Sequence, residues 1–519
     1  MKGKTAIITY ALFAIAFITV FYLLIGTGLH GDDHSEIEYM LGDDLWSFLN
    51  PDPNHLQSMT YNLTSFYLFF WAYPLLGYDY QWVYDLIKIF SHLGSIYLIY
   101  MFANDYLPRD RALLASVIFV FYPLHDATTY NYMMAPYILT PATLLYSHCL
   151  IRKNRILSGL PILMLGTFAS YSSPPYVFGL AAIFAFERKF KKAVIFTVPG
   201  LLYVIFYFWI KLSYSEVQIR INPDLSVMGF LKQLIMQPLS FIEAAVGPTY
   251  WFKIFYSIGS ISLISALICT TFIAFSFTRA PSFSRNPILP RSLFFGLICV
   301  LLLSFGMFAL TGRYSHSAFN LGNRTTIYGS LLIAFFLVTL LPMNKKSIIF
   351  LSLIFLLPVF GLSDYWKSWN KHQKGVIENI HTNQDLTKLT PDSTLLVTGN
   401  IYSKLGPFSH IELFSMPWVV NTIFNDNVKS REIVALTPYV YLKDNSLVEL
   451  KFGDEHHLGN KIYAYDSEEN FTSEITVADI PSLLAQRPKE IRHWVQFMEG
   501  TWIQDIIIWI SPRLSYLFQ

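Results

Sequence analysis

Thr5-Ala-Ile-Ile-Thr-Tyr-Ala-Leu-Phe-Ala-Ile-Ala-Phe-Ile-Thr-Val-Phe-Tyr-Leu-Leu-Ile25, and soon after it Gly31-Asp32-Asp33-His34-Ser35-Glu36, open the chain and set its class. The first run is uncharged and has the length, about 20 residues, that crosses a hydrocarbon core of about 30 Å. Met1 to Lys4 before it is short and basic. A cleaved signal peptide would have a shorter apolar core and small residues at its cleavage site. Gly26-Thr27-Gly28 supplies small residues, but the length of the run reads as a retained first helix. The acids then arrive where lipid headgroups begin. An ionised side chain at membrane depth costs roughly 2.5–3.5 kcal/mol on insertion scales, so acids near that level usually mark function. The plainer alternative is a polar loop in which Asp32 caps a helix beginning near His34.

The rest of the chain repeats the first feature. Of its 519 residues 53% are hydrophobic and only 14% charged, against about 25% charged in soluble domains. That excludes a cytosolic enzyme. Further apolar runs lie at 82–104, 111–125, 133–151, 156–171, 174–186, 192–212, 253–277, 292–310, 325–342 and 346–363, which predicts about eleven transmembrane helices. The loops supply an independent check, because cytoplasmic loops collect Lys and Arg. Every second loop does so: Arg109 and Arg111; Arg152, Lys153 and Arg155; Arg188, Lys189, Lys191 and Lys192; Arg279, Arg285 and Arg291; Lys345 and Lys346. The expected protein is multi-pass in the inner (plasma) membrane, with a cytoplasmic N-terminus. The apolar stretch 65–76 is too short to span and reads as an interfacial helix. With Cys149, Cys269 and Cys299 alone, there is no disulfide scaffold and no metal-ligand spacing. No feature points to nucleic acid.

Three units follow. Residues 1–364 read as a transmembrane domain, the one expected to carry the functional residues. Residues 365–488 are polar, with strand-like runs at Ser393–Thr398, Glu432–Ala435 and Lys461–Tyr465, and predict an extracytoplasmic α/β domain. Residues 489–519, with Trp494, Trp502 and Trp509, read as an amphipathic interfacial helix.

Candidate functional residues gather on the outer side. Asp32, Asp33, His34 and Glu36 follow the first span. His125 and Asp126 end the run Phe121-Tyr-Pro-Leu-His-Asp126, at the outer end of the third span; the plainer reading is a satisfied surface pair. Arg313, Asn323 and Arg324 lie in the loop Gly312–Arg324, where positive charge is scarce. Arg offers a planar fork of donors suited to phosphate and keeps its charge at any working pH. The alternative there is snorkelling to lipid headgroups. Lys211 and Arg220, beyond the seventh span, are weaker candidates of the same kind. Asp85 and Lys88 are one helical turn apart and should pair with each other.

This pattern resembles the GT-C glycosyltransferases, integral membrane enzymes that use lipid-phosphate sugars. The resemblance rests on a first span followed at once by an acidic pair. It continues through Leu75-Leu-Gly-Tyr-Asp-Tyr80 to His92 and Leu93, similar to the "fGyd" turn and "nllLH" span of protein O-mannosyltransferase-like proteins. It goes on to Asp126, where members carry "FalhP-x-x-x-E": Pro123 matches the proline, and Asp126 falls near an acid that is usually Glu. Asn323-Arg324 is similar to an Arg-bearing motif in related bacterial sequences. The similarity covers about residues 5–150; Ser172-Ser-Pro-Pro175 stands where many members carry a "KE" or "K-P" motif.

The resemblance implies a GT-C-like fold and transfer from a polyprenyl-phosphate sugar donor to a glycan, lipid or protein acceptor, beside membrane lipids. Such chemistry needs a base for the acceptor hydroxyl and a cation for the leaving phosphate. Asp32 or Asp33 would be the base, His125 and Asp126 would orient the acceptor or support the base, and Arg324 would face the phosphate, with Arg313, Asn323, His34 and Glu36 lining the substrate site. Some members use a divalent cation, and Asp32, Asp33 and Asp126 offer oxygen ligands for Mg²⁺ or Mn²⁺. Two other readings stay open. A lipid or sugar transporter (flippase) would place ionisable or helix-breaking residues near the middle of several spans. An O-antigen-type polymerase would lean on arginines in large outer loops.

Overall fold

Helix α1 (Ile15–Leu24) ends in Gly26-Thr27-Gly28, a turn with φ of 84° and 69° at its two glycines. A side chain at Gly28 would also meet Asn370 at 2.3 Å, so glycine is required twice over. The turn is tied to α3 (Gln81–Ala103), whose Asp85 accepts from the amides of Gly26 (2.7 Å) and Gly28 (3.0 Å). Lys88 pairs with Asp85 at 2.9 Å, as the spacing predicts, and donates to Thr27 Oγ1 and to the carbonyls of Gly28 and Tyr130. A buried ion pair is tolerated when its remaining donors and acceptors are filled in this way. The turn aims the chain into α2 (Asp32–Met40).

The computed structural model describes residues 15–44, 46–47, 55–214, 220–222, 225–278, 287–312, 314–342, 344–425, 428, 430, 432–450, 453–487 and 502–510. Among them are six helices long and apolar enough to cross a membrane: Gln81–Ala103, Arg109–Tyr130, Phe190–Ser213, Arg291–Thr311, Leu321–Leu340 and Lys345–Thr382. A seventh span arises if Val227–Gly259 and Leu263–Phe277, bent by 109° at their junction, count as one. The protein is a helical polytopic membrane protein, and its described residues hold six or seven candidate spans where eleven were expected; residues 5–14 of the expected first span lie outside the described residues. The runs at 133–151, 156–171 and 174–186 form helices of 17, 12 and 14 residues, at or below the length of a span. Hydropathy alone cannot separate such helices from spans, because a helix buried in protein is as apolar as one facing lipid. The run at 253–277 breaks at Ser260–Ser262 instead of continuing.

The stretch 65–76 forms a π-helical turn, Phe66–Phe70, and a short helix, Ala72–Leu76. Phe66, Phe69, Phe70 and Tyr73 pack with Ile37 and Met40 of α2 and with Tyr132, so this stretch braces the acidic helix.

The boundary expected at residue 364 falls inside a helix. The last span runs on as α4 (Leu357–Thr382), and its polar half buries Trp366, Asn370, Gln373, Val376 and Ile380 along one face. That 3.6-residue periodicity needs no change of element where the lipid ends. Beyond α4 the expected strands appear: β1 (Ser393–Thr398), β4 (Glu432–Ala435) and β8 (Lys461–Asp466) run parallel in the order β4-β1-β8, and β9 (Phe471–Ile475) joins β8 antiparallel. A hairpin, β2 (Tyr402–Leu405) with β3 (Phe408–Glu412), and helix α5 (Pro417–Asn425) lie between β1 and β4. Strands β5 (Val440–Lys443), β6 (Ser446–Glu449) and β7 (Glu455–His457) form a meander. Of the expected C-terminal helix, Trp502–Ile510 is described, with Trp502, Ile506 and Trp509 exposed; Trp494 lies outside the described residues.

Candidate functional site

Two buried aspartates organise the end of the bundle nearest the α/β region. Asp126 accepts from four donors: Lys253 Nζ (2.6 Å) and Asn323 Nδ2 (2.5 Å) on one oxygen, and Trp366 Nε1 (2.7 Å) and His410 Nε2 (2.8 Å) on the other. These come from two helices of the bundle, the 3₁₀ turn Leu321–Thr326, and β3 of the α/β region. Asn323 also accepts from the Ala127 amide (3.2 Å). His125 bonds Thr128 Oγ1 and the Phe119 carbonyl, both at 2.8 Å. Asp126, His125 and Asn323 were expected at the reacting centre, and the structure places them in a network with its polar atoms filled. Burial is the reason: in a low dielectric such groups persist only when fully partnered.

Asp33, at the start of α2, is equally buried but held differently. Its oxygens accept from Tyr73 Oη (2.8 Å), the Met133 amide (3.1 Å) and the His30 amide (2.9 Å). All three donors are neutral, and a carboxylate has about four acceptor positions, so one remains on Oδ2. Burial pushes its pKa up to about 6 against the pull of the His30 amide, the Tyr73 hydroxyl and the Lys88 charge. Glu36 is pushed up to about 8, by burial and then by the charges of Asp32 and Asp33, and its Oε2 is buried without a hydrogen bond. His34 is buried against the ring of Tyr78 with neither nitrogen hydrogen-bonded, and burial lowers its pKa to about 4. Asp32 turns to the α/β region, where Trp418 of α5 donates its indole N–H at 2.8 Å.

A cluster of cations lies on the rings of Tyr61, Tyr171 and Tyr314. Arg220 lies over the rings of Tyr61 (4.1 Å) and Tyr171 (4.6 Å), Lys211 donates to Tyr61 Oη (2.7 Å), and Arg324 faces Tyr314 at 5.8 Å. Tyr137 hydrogen-bonds Tyr171 beneath them. Among the described residues no carboxylate is ion-paired with Lys211, Arg220 or Arg324; the charge felt most closely by Arg324 besides the tyrosines is that of Arg220. Aromatic faces hold cations in place without neutralising them. Guanidiniums so held keep their charge and their donors for an anion.

Two consecutive residues touch the acid and one of the cations. Met133 gives its amide to Asp33, and the Sδ of Met134 lies 3.9 Å from a guanidinium nitrogen of Arg324. Arg313 lies outside the described residues. Asp32, Asp33 and Asp126, the possible ligands of a divalent cation, are not brought together: Asp126 accepts from its four donors and Asp32 from Trp418, and among the described residues no group of three His, Cys, Asp or Glu could hold a metal ion. Sequence reading underrated Arg220 and Lys211 and missed Lys253, His410, Trp366 and Trp418. A lysine at the head of an otherwise apolar run was the available signal for Lys253.

No family model matches the chain, and no curated protein matches it. Among solved structures the chain is similar to the crystal structure of ArnT from Cupriavidus metallidurans bound to undecaprenyl phosphate, with 13% identity, a TM-score of 0.39, and 93% of this chain and 96% of that chain covered. So loose a likeness leaves the functional reading to the side chains themselves.

Proposed function

We propose that the chain is a membrane glycosyltransferase that moves a sugar from a polyprenyl-phosphate-linked donor to an acceptor on the extracytoplasmic side of the inner membrane. The observation that carries this reading is that two consecutive residues touch both groups: the Met133 amide donates to the buried carboxylate of Asp33, whose pKa is raised to about 6, and Met134 Sδ contacts the Arg324 guanidinium. Asp33 is the base. It takes the proton of the acceptor hydroxyl as that oxygen bonds to the anomeric carbon. The bond from that carbon to the phosphate oxygen breaks, and its electron pair leaves with the phosphate. Arg324 and Arg220 neutralise the charge that accumulates there, with no reorganisation needed at the moment of reaction. Asp33 suits the part because a base works best with a pKa near working pH. Asp32, hydrogen-bonded to Trp418, orients the acceptor. The distribution of Lys and Arg among the loops supports an N-terminus in the cytoplasm and an α/β region outside it.

One observation favours a transporter: the 109° break between Val227–Gly259 and Leu263–Phe277 resembles the discontinuous helices of transport sites. The two readings separate in cells. Lipids extracted from a strain lacking the chain, measured by mass spectrometry, should accumulate a polyprenyl-phosphate sugar and lose a glycosylated product. Purified protein in liposomes should release free polyprenyl phosphate from that accumulated lipid when envelope extract is added. Movement of the lipid between leaflets with no release of phosphate would replace the transferase reading with the transporter one.

A further inference from the structure

The α/β region has a feature that the transfer site does not use. In its parallel sheet the chain leaves β1 toward β4 on one side, while β8 lies on the other side of β1 and leads on to β9, farther out. The connection after β1 thus leaves toward one edge of the sheet, while β8 turns directly into antiparallel β9 at the other. A crevice of about 350 Å³ lies there, between the residues after β8 and the outer face of α4. Ligand sites usually fall in the range of about 300–1,000 Å³.

His372 and Ser467, which line the crevice, are held from behind by a polar turn. After β1 the chain turns through Gly399 (φ 73°) and Asn400 (φ 47°), and a side chain at Gly399 would meet Glu468 at 2.8 Å and Ser467 at 3.0 Å. Asn400 is buried, receives His372 Nε2 at 2.8 Å, and donates to Ser467 Oγ at 3.1 Å; Ser467 in turn donates to the Thr398 carbonyl at 2.7 Å. Lys371 and Glu468 contribute one charge of each sign to the walls, and Asn379 adds an amide. At Gly375 a Cβ would meet nothing within 4 Å, so this stretch of α4 leaves the space open.

We infer that this crevice binds a saccharide, one or two neutral rings of a glycan. The inference goes beyond the transfer reaction and rests on that reading only in choosing a sugar among hydroxyl-rich ligands. A neutral sugar matches mixed donors and acceptors whose charges balance. A phosphate would be repelled by Glu468, and an apolar ligand would find Val376 alone to pack on. The opposite face of α4 carries Asn370 and Gln373, which bond the turn leading to Asp33, so one helix separates the crevice from the proposed base.

The test is saturation-transfer NMR on the full chain in nanodiscs, with methyl glycosides of glucose, galactose, mannose and N-acetylglucosamine as probes. Saturation should pass to at least one glycoside. Gly375→Leu, which keeps the helix and fills the space, should raise the dissociation constant by about tenfold or more. If that variant fails to elute as the folded protein, Asn379→Trp on the exposed wall does the same work. Silence from all four glycosides, or equal binding in wild type and the filled variants, overturns the site. Asp33→Asn should bind as wild type does. Sugar binding without any transfer activity would therefore sink the transferase reading and leave the crevice standing, and transfer without sugar binding would do the reverse.

Discussion

Asp33 and Asp126 are both fully buried at one end of the bundle, yet their surroundings give them opposite capacities. Asp126 faces a lysine ammonium and three further donors and has no acceptor position to spare. Asp33 faces three neutral donors and keeps one position open. A carboxylate that is already paired holds structure, whereas one kept short of a counter-charge can accept a proton. The same contrast separates Lys253, spent on Asp126, from Arg220 and Arg324, held by aromatic rings.

The strongest way to break this contrast is to make one substitution at both positions. Asp33→Asn should lower turnover by roughly 10²–10⁴-fold, the usual contribution of a positioned base, while the thermal midpoint in detergent moves little. The sign follows from linkage. Asp33 titrates in the folded chain at about 6, above its ordinary 3.8, so the folded state holds the proton more tightly and loses stability as pH rises between those values. Removing the charge offsets the hydrogen bond lost to the His30 amide. In the wild type, kcat/KM should fall about tenfold per unit of pH below about 6, and a limb unmoved in Asp33→Asn would hand the role of base to another group.

Asp126→Asn should do the opposite. It leaves the Lys253 ammonium buried without its counter-charge, a change that costs about 3–5 kcal/mol. The folded yield and the thermal midpoint should drop, while the fraction that remains folded turns over near the wild-type rate. A stable Asp126→Asn protein without activity would move Asp126 from structure to chemistry. Arg324→Ala comes next: losing one fixed cation facing developing charge lowers turnover by roughly 10²–10³-fold. Steady-state kinetics should show the loss with donor varied more than with acceptor varied. Equal effects on both would count against a phosphate at this position.

What the sequence disclosed follows the distance over which each feature is determined. The Asp85–Lys88 pair and strands β1, β4 and β8 are set by neighbours within a few residues, and they were legible. The fate of Asp126 was not, because its partners Lys253, Asn323, Trp366 and His410 lie 127, 197, 240 and 284 residues away. Adjacent His and Asp look reactive until such partners are known to fill them. The number of spans was hard to read for a related reason. Pro136–Arg152, Ile156–Thr167 and Ser173–Phe186 have the composition of spans, but whether lipid or protein covers them is decided by tertiary packing.

The smallest expected effect separates the two members of the acidic pair. Trp418→Phe keeps the ring and removes the one indole N–H that reaches Asp32. A single hydrogen bond to a partly exposed carboxylate is worth about 1 kcal/mol, or roughly fivefold. If Asp32 orients the acceptor and Asp33 takes the proton, the variant should raise the KM for acceptor a few-fold and leave the acid limb near pH 6 where it was. The limb belongs to Asp33, and nothing that touches Asp33 has changed. If Asp32 were the base, losing a donor that stabilises its ionised form would instead shift the limb upward, at nearly unchanged KM. A pH profile and an acceptor titration on this one conservative variant therefore assign the two carboxylates without disturbing either.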